Sequence, residues 1–289
     1  MTLVMGSVFS GIAGIERGLE LAGVGYTKWQ CEKDEYARAV LRKHWPTLPL
    51  YDDVCKLAIG ARARREQRCD LLVGGPPCQD VSVAGRGAGM SVGTRSGLWW
   101  EYVRVVSALR PPLVFVENPA RSRGRWLPSV TSSLAALGYR WAYVCVRACD
   151  LGYHHERDRV FVLAADVDGV RQLQRRGSLA ELGGRTDNSA QALRALADAD
   201  SEGLEIGKQV DVEDKFAAAF REDGQHPLPE MVRTVHGLPC RVDRIRCLGN
   251  SVIPEQAAEA WQRLSTTMGL ASLKLTDPVS VPLNRRDGR

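Results

Sequence analysis

LVMGSVFSGIAGIERGLELAG, residues 3–23, is the stretch that decides the fold class. Its first part, residues 3–9, is an apolar run typical of a buried strand, and Gly11 and Gly14 mark the turn that follows. Apolar residues then recur at helical spacing until Gly23, which ends the helix. A strand, a glycine-rich turn and a helix in this order favour a ligand-binding crevice at the edge of an α/β sheet.

The same alternation of strand and helix continues along the chain. Further strands are predicted at 26–31, 70–73, 113–116, 141–148 and 159–164, and further helices at 34–44, 98–109 and 254–269. This order predicts an α/β fold built on a parallel sheet. From Ala165 to about Pro239 the chain is polar with few periodic stretches, so a separate region is expected there. The tail at 270–289 is rich in Pro and Arg, and we expect it to be loosely ordered.

The composition is that of an ordinary globular protein of 289 residues, with 44% hydrophobic and 25% charged residues. One large domain, alone or with a small one, accounts for this length. The chain has no apolar run of about 18 residues. Its start lacks a basic region and a cleavage site, so we expect a cytoplasmic protein without a membrane partner. The eight cysteines include no C-x-x-C pair, so neither a disulfide framework nor a zinc site is expected.

The charge balance leaves the class of partner open. The net charge is +5, and arginine far outnumbers lysine among the 39 basic residues. Arginine suits bidentate contacts to phosphates and to guanine edges. A biased genome composition explains the excess equally well, so the charge is compatible with nucleic acid and does not establish it.

Two acidic side chains at later strand ends add support to the glycine turn. Glu32 ends the second predicted strand, where a carboxylate can accept hydrogen bonds from both hydroxyls of a ribose. Asp53, directly before Val54, can accept one from an adenine amino group. Taken alone, each acid is more often a solvated surface residue, and Gly11 and Gly14 often serve only a turn. Together they indicate a nucleotide-like ligand.

A cysteine follows two prolines at the end of the third clear strand, in Gly74-Gly75-Pro76-Pro77-Cys78-Gln79. Prolines fix φ and remove donors, so the backbone before Cys78 is stiff and the thiol is held in a narrow range of positions. Strand ends of open α/β sheets are where ligands bind. Most cysteines are buried structural residues, but this context favours a nucleophile.

A carboxyl group and two arginines follow later strands. Glu117 lies at the end of the strand predicted at 113–116, where burial can keep its carboxyl protonated and able to donate to a ring nitrogen. Arg157 and Arg159 lie at the start of the strand predicted at 159–164. Residues two apart on a strand point to the same face. Without further context, a surface arginine pair is the simpler interpretation.

Five motifs lie in a fixed order along the chain. They are Phe-Ser-Gly-Ile-Ala-Gly (9–14), Gly-Gly-Pro-Pro-Cys-Gln (74–79), Glu-Asn-Pro (117–119), Glu-Arg-Asp-Arg-Val-Phe (156–161) and Leu-Gly-Asn-Ser-Val-Ile-Pro (248–254). In order and spacing they resemble the motifs of bacterial and phage DNA (cytosine-5) methyltransferases. The resemblance implies a Rossmann-like S-adenosylmethionine-dependent methyltransferase sheet, formed by 1–165 and 236–269, with a small target-recognition region at 166–235. The implied activity is methyl transfer to carbon-5 of a flipped cytosine in duplex DNA.

The resemblance also implies a role for each matching residue. S-adenosylmethionine would contact Phe9, Gly11, Ile12, Gly14, Glu32, Asp53, Val54, Pro77, Leu98, Asn250 and Ser251. Cys78 would be the nucleophile, and Glu117 would contact ring nitrogen 3 and the exocyclic amine of cytosine. Arg159, with Arg157 beside it, would serve the base carbonyl and the active-site loop. Gln79 and Asn118 would support the loop that carries the nucleophile.

Two motifs depart from the family pattern, and one glycine-rich segment has a role that the motifs alone do not define. Pro119 stands where the family usually has Val, and His154 and His155 stand where it often has Pro-Gln, but neither change removes a catalytic group. The glycine-rich segment 79–95 is predicted to close over the DNA, the alternative being an ordinary surface loop.

The polar region supplies candidate DNA contacts, which are Arg171, Arg175, Arg176, Arg185 and Arg194. We expect a monomer that binds double-stranded DNA, with a cognate restriction endonuclease as a possible functional partner. Three alternatives are weighed against this interpretation. The first is a tRNA (cytosine-5) methyltransferase, and the second is a catalytically silent DNA-binding partner, against which the intact Cys78, Glu117 and Arg159 argue. The third, a nicotinamide-dependent oxidoreductase, leaves Pro-Pro-Cys-Gln unexplained.

Overall fold

The computed structural model describes residues 2–77, 98–180 and 241–270. The strands are β1 (Leu3–Val8), β2 (Gly25–Cys31), β3 (Leu50–Tyr51), β4 (Leu71–Gly74), β5 (Leu113–Pro119), β6 (Arg140–Val146) and β7 (Arg159–Ala165). The helices are α1 (Gly14–Leu21), α2 (Glu35–His44), α3 (Ala61–Glu66), α4 (Leu98–Leu109), α5 (Arg123–Ala136), α6 (Val167–Ala180), α7 (Arg241–Asn250) and α8 (Pro254–Thr267). Within these ranges, no helix is both long enough and apolar enough to cross a membrane.

The strands form one mixed sheet in the order β3-β2-β1-β4-β5-β7-β6. Strands β1 to β5 pair in parallel, whereas β7 pairs antiparallel with both β5 and β6. The prediction of a purely parallel sheet is therefore wrong at β7. The reason is the connection from β6 to β7, which contains no crossover helix of the kind that two neighbouring parallel strands need.

Helices cover both faces of the sheet. On one face, α1, α6 and α8 pack over a core in which Phe115 and Phe161 stack with centroids 5.5 Å apart, and Trp261 meets Phe115 edge-on at 5.9 Å. On the other face, α4 and α5 pack over a second core, where Trp99 and Tyr102 stack at 5.3 Å. Burying one such aromatic side chain contributes roughly 1.5–3 kcal/mol. Because both faces are covered, β4 and β7 are buried along their whole length.

Each predicted strand and helix is present, with ends that differ by a few residues at most. The sequence signals were local ones, such as Asp34, whose carboxylate accepts a hydrogen bond from the Ala37 amide at 2.9 Å and caps α2. The elements that we did not predict are β3, α3, α5, α6 and α7. Strand β3 has only two residues, and α5 carries Pro128 in its interior, so neither gives a clear periodic pattern.

Helix α6 lies in the region predicted to be separate from the catalytic sheet. Its side chains Val170 and Leu173 are buried in the core of the sheet. Its Arg176 donates to the carboxylate of Asp70 at 2.5 Å, and Asp70 directly precedes β4. The first residues of the predicted target-recognition region therefore pack on the catalytic sheet, while the boundaries proposed for that region stay a prediction.

The strand order reverses between β1 and β4, and this reversal positions the site. From β1 the sheet continues to β2 on one side, and from β4 it continues to β5 on the other. In open α/β sheets, the loops that leave the carboxyl ends of two such strands separate and form a crevice for ligands. Here those loops are residues 9–13, after β1, and residues 75–77, after β4.

Candidate active site

The loop after β1 has an unusual backbone. Phe9, Gly11 and Ala13 all have positive φ, at 57°, 55° and 64°. Glycine adopts this conformation freely, whereas Phe and Ala adopt it at a cost of about 1–3 kcal/mol each. Hydrogen bonds from the Ser10 amide to the Cys31 carbonyl (3.2 Å) and from the Ala13 amide to the Ser10 carbonyl (2.8 Å) hold the loop. The strained turn leads into Gly14 at the start of α1, which lines the crevice together with Gly11 and Ile12.

Glu32 connects this loop to the next one. Its carboxylate accepts hydrogen bonds from the amides of Gly11 and Asp34, each at 2.7 Å. The half-buried side chain lies at the end of β2, in the lining of the crevice. The structure thus places Glu32 where the sequence predicted, with the additional task of ordering the glycine turn.

The crevice is a cleft of about 2800 Å³. The predicted site residues that line it are Phe9, Gly11, Ile12, Gly14, Glu32, Pro77, Leu98, Glu117, Asn118, Arg157, Arg159, Asn250 and Ser251. Cys78 and Gln79, and the segment 79–95 predicted to close over DNA, lie outside the described residues. Among the described residues, no group of His, Cys, Asp or Glu could hold a metal ion.

Two predicted cofactor residues do not line this cleft. Asp53 accepts a hydrogen bond from the Cys55 amide at 3.0 Å and so begins a one-turn helix at Val54–Lys56. Its other carboxylate oxygen lies 3.3 Å from the ammonium of Lys33. Val54 is buried in the core below α4. In the structure these two residues build the cap of a short helix rather than the wall of the cleft.

The loop after β4 fits closely against Glu117. A β-carbon on Gly75 would lie 2.9 Å from Oε2 of Glu117, and one on Gly74 would lie 2.2 Å from the carbonyl of Val8. Both glycines therefore serve a close approach of backbone to neighbouring groups. The side-chain amide of Asn118 donates to the carbonyl of Pro76 at 2.8 Å. This bond ties the end of β5 to the chain two residues before Cys78.

Glu117 and Arg159 form a buried pair at the floor of the cleft. The Arg159 Nε lies 2.9 Å from Oε1 of Glu117, and the side chains are 9% and 8% exposed. The two atoms are not aligned for a hydrogen bond, and neither has another partner. Burial raises the pKa of Glu117 to about 7, although the positive charges of Arg159 and Arg157 act to lower it. The pair therefore presents a partly protonated carboxyl with unused hydrogen-bonding capacity.

Arg157 does not continue the strand that Arg159 begins. Its φ of 38° lies in the left-handed region, which breaks the alternation that would have put both side chains on one face. Its Nη2 donates to the carbonyls of Leu248 and Gly249, each at 3.0 Å, and also to that of Ser251. Arg157 thus binds the last residues of α7 and the start of the chain that connects α7 to α8, whereas the sequence pattern had grouped it with Arg159 at the base.

The chain between α7 and α8 also packs against the glycine turn. A β-carbon on Gly14 would lie 2.4 Å from the carbonyl of Val252 and 2.8 Å from Oγ of Ser251. A β-carbon on Gly18 would lie 2.1 Å from the carbonyl of Pro254. Asn250 and Ser251 therefore reach the cleft because α1 has glycines on this side.

A buried acid behind the glycine turn was not predicted. Glu16 is 1% exposed and accepts a hydrogen bond from the Ser7 hydroxyl at 2.5 Å. That hydroxyl lies 2.8 Å from the hydroxyl of Ser10, whose residue lines the cleft. Burial raises the pKa of Glu16 to about 7, and the Ser7 hydrogen bond partly offsets this effect. The signal that could have revealed it is the position of Glu16 directly after Ile15, on the side of α1 that is buried.

Two of the arginines proposed for DNA contacts lie far from the carboxyl edge of the sheet. Arg176 pairs with Asp70 at the amino end of β4, and Arg171 pairs with Asp168 at 3.1 Å in the first turns of α6. The proposal of a DNA contact is therefore not supported for these two residues, because the antiparallel β7 ends at the amino edge of the sheet, opposite Leu113, and α6 begins there. Arg185 and Arg194 lie outside the described residues.

Known proteins with similar sequences match part of the chain. The Type II methyltransferase M2.BsuMI of Bacillus subtilis is 40% identical over 167 residues, which are 55% of this chain and 41% of that protein. The Type II methyltransferase M.CviJI of Paramecium bursaria Chlorella virus IL3A is 31% identical over 162 residues, 56% of this chain and 42% of that protein. The chain thus spans less than half the length of either relative. A crystal structure of the S. pombe Dnmt2 methyltransferase matches with a TM-score of 0.48 at 18% identity, covering 57% of this chain and 50% of that one.

The family match extends further along the chain than these relatives do. The family model described as C-5 cytosine-specific DNA methylase matches residues 3–224. This range contains the glycine turn, the Gly-Gly-Pro-Pro-Cys-Gln motif, Glu117 and the Arg157–Arg159 segment. The chain belongs to the C-5 cytosine-specific DNA methylase family.

Proposed function

We propose that this protein transfers a methyl group from S-adenosylmethionine to carbon-5 of a cytosine in duplex DNA, through a covalent bond from Cys78 to carbon-6. Family membership makes S-adenosylmethionine the cofactor. One observation carries the proposal. Glu117 lies buried with its Oε1 2.9 Å from the Arg159 Nε, beside the Gly75-Pro76-Pro77 turn that leads directly to Cys78, and burial raises the pKa of its carboxyl to about 7.

The glycine turn and its neighbours suit the cofactor. The amino end of α1 lies in the cleft lining, where a helix terminus can bind a carboxylate group, and the space next to Gly11 is free of other atoms within 4 Å. Glu32 has carboxylate oxygens at the end of β2, where ribose hydroxyls can donate to them. Phe9, Leu98 and Pro77 offer an apolar wall. When bound, the cofactor supplies an electrophilic methyl group attached to sulfur.

The side chains at the floor of the cleft supply the remaining chemistry. Carbon-5 of cytosine is a poor nucleophile until the ring gains electrons. The Cys78 thiolate adds to carbon-6 while Glu117 gives its proton to ring nitrogen 3, and Arg159 donates to the ring carbonyl oxygen. The resulting enamine carries electron density at carbon-5, which bonds to the methyl group as the bond from that methyl group to sulfur breaks. A water molecule or hydroxide from solvent then takes the carbon-5 proton, the electrons of that bond restore the ring double bond, and the Cys78 thiolate leaves carbon-6. The nitrogen-3 proton returns to Glu117.

The protonation of Glu117 is suited to this task at neutral pH. A carboxyl with a pKa of about 7 is protonated in a large fraction of molecules, whereas an ordinary glutamate would be almost fully ionised. The Asn118 bond to the Pro76 carbonyl orients the backbone before Cys78. The nucleophile and the acid therefore approach one base from directions that the β4 and β5 loops set.

Reaching carbon-6 requires the cytosine to leave the base stack, which costs a few kcal/mol. We assign closure over the DNA to the segment 79–95, which stays a prediction. The proposal of DNA as the substrate draws on the description of the family, C-5 cytosine-specific DNA methylase. The monomeric state, the cognate restriction endonuclease and the recognition of a DNA sequence by residues 166–235 stay expectations from the sequence.

Methyl transfer from labelled S-adenosylmethionine to duplex DNA of mixed sequence tests the proposal, with tRNA in parallel. The variants are Cys78→Ser and, as a matched control, Cys149→Ser, because Cys149 is an exposed cysteine outside the cleft. We expect label at cytosine carbon-5 of DNA from the wild type and from the control, and none from Cys78→Ser. Label on tRNA alone would overturn the DNA substrate. Cofactor binding without transfer to either would leave a silent binding protein.

A further inference from the structure

Helix α8 contains a buried glutamine that contacts both sides of the candidate active site through backbone groups. Gln256 is fully buried, and its Nε2 donates to the carbonyl of Val146 at 2.9 Å and to that of Arg157 at 2.8 Å. Val146 is the last residue of β6, and Arg157 lies two residues before β7 begins. One side-chain amide thus fixes both ends of the connection between these strands.

The Arg157 backbone needs such support. Its left-handed conformation, with φ of 38°, is disfavoured for a residue with a β-carbon and persists only where neighbouring groups determine it. Gln256 holds the carbonyl of this residue, and the Ala148 amide holds the adjacent Glu156 carbonyl at 2.7 Å. The left-handed turn sends the Arg157 side chain to the last residues of α7 and the start of the chain that connects α7 to α8, and it starts β7 so that Arg159 reaches Glu117.

The contacts between α8 and Arg157 are reciprocal. Gln256, in the first turn of α8, binds the main chain of Arg157. The Arg157 side chain in turn binds the carbonyls of Leu248, Gly249 and Ser251, which precede α8. We call residues 248–254 the junction segment. It is enclosed between the Arg157 guanidinium on one side and the glycine face of α1 on the other.

We propose that Gln256 is a positioning residue that holds the junction segment, on the cofactor side, and the Arg157–Arg159 segment, on the base side, in a single arrangement. This inference rests on the proposed function, since it assigns the two sides to cofactor and base. Gln256 itself touches neither ligand. It acts through Arg157, and loss of its two hydrogen bonds would loosen both halves of the site at once.

Gln256→Met tests this role, because methionine has a similar length and no donor. The matched control is Gln172→Met, at an exposed position of α6. The measurements are thermal unfolding, the dissociation constant for S-adenosylhomocysteine, and kcat and KM for methyl transfer to DNA. With folding intact, we expect Gln256→Met to raise the dissociation constant roughly tenfold and lower kcat by a similar factor, as the loss of such hydrogen bonds predicts. The KM for DNA and the control variant should stay close to wild type.

A folded Gln256→Met protein with wild-type affinity for S-adenosylhomocysteine would overturn the inference. If that variant does not fold, Arg157→Met takes over the test, since methionine has no donor for the three carbonyls that the Arg157 guanidinium binds. Its affinity for S-adenosylhomocysteine should fall by a similar factor, and an unchanged affinity would likewise overturn the inference. Where both variants fold, their combination should weaken binding by less than the product of the single effects, because they break one connected unit.

The same measurements separate this inference from the proposed function. A wild type that binds S-adenosylhomocysteine but methylates no DNA would contradict the proposed function, and the affinity change in Gln256→Met would still decide the inference. A wild type that binds no S-adenosylhomocysteine would contradict both.

Discussion

The guanidinium of Arg159 and the carboxylate of Glu117 lie 2.9 Å apart across two strands that run in opposite directions. Arg159 opens β7 opposite Pro119, two residues beyond Glu117 in β5, so the ion pair is diagonal across the ladder. Both side chains are buried, and neither of the paired atoms has a hydrogen-bond partner. Burying polar atoms without hydrogen-bond partners is costly. A ligand that donates a hydrogen bond to Glu117 and accepts one from Arg159 would remove this cost.

The first prediction concerns pH. Because burial raises the pKa of Glu117 to about 7 and the protonated form is the one that donates, kcat/KM for DNA should fall as pH rises above about 7. Glu117→Gln should lower kcat by about 10²–10³ and remove this alkaline decline, since its amide does not titrate. The check is a pH series of kcat/KM for wild type and variant. A decline that persists in the variant would assign it to another group.

The second prediction concerns the fit of Gly75 against Glu117. A β-carbon at Gly75 would lie 2.9 Å from the Glu117 carboxylate, so Gly75→Ala should displace the carboxyl and lower kcat by roughly tenfold or more. The affinity for S-adenosylhomocysteine should change little. Gly60→Ala is the matched control, because a β-carbon there meets nothing within 4 Å. Equal kcat values for the two variants would show that the close approach does not matter for activity.

The third prediction concerns the buried acid Glu16. Its pKa is raised from 4.5 to about 7, so between these values the folded protein holds a proton that the unfolded chain has released. Folding is therefore favoured at low pH, and this contribution is lost as pH rises toward 7. The full effect is on the order of 3 kcal/mol. Urea unfolding at pH 5 and pH 8 should show a smaller loss of stability in Glu16→Gln than in wild type. An equal loss in both proteins would exclude Glu16 as its source.

The fourth prediction concerns Arg176, which sequence reasoning had placed among the DNA contacts. Its side chain is 47% exposed and pairs with the buried Asp70 at the amino edge of the sheet. Arg176→Gln should lower the free energy of unfolding by about 1 kcal/mol and leave the KM for DNA and its salt dependence unchanged. Denaturation and kinetics at two salt concentrations provide the comparison. A weaker salt dependence of DNA binding would instead return Arg176 to the interface.

Much of the architecture could be predicted because its signals are local. The apolar strands, the helix predicted at 34–44 and the glycine turn at Gly11 have signals that act over a few residues, and all lie where they were expected. The antiparallel β7 could not be read in this way, because strand direction depends on which neighbours the chain returns to. The short β3 and the helix α5, interrupted by Pro128, gave no periodic pattern.

The sequence by itself determined the family and named site residues of which most lie in the lining of the cleft, because motif order and residue type are properties of the chain. Tertiary structure alone decided what those residues do to one another. It gave Glu117 a pKa of about 7 by burying it, moved Arg157 from the base to the junction segment, and placed Gln256 between β6 and Arg157. Burial, a left-handed backbone turn and contacts between residues about 100 positions apart depend on packing in three dimensions, which no local pattern encodes.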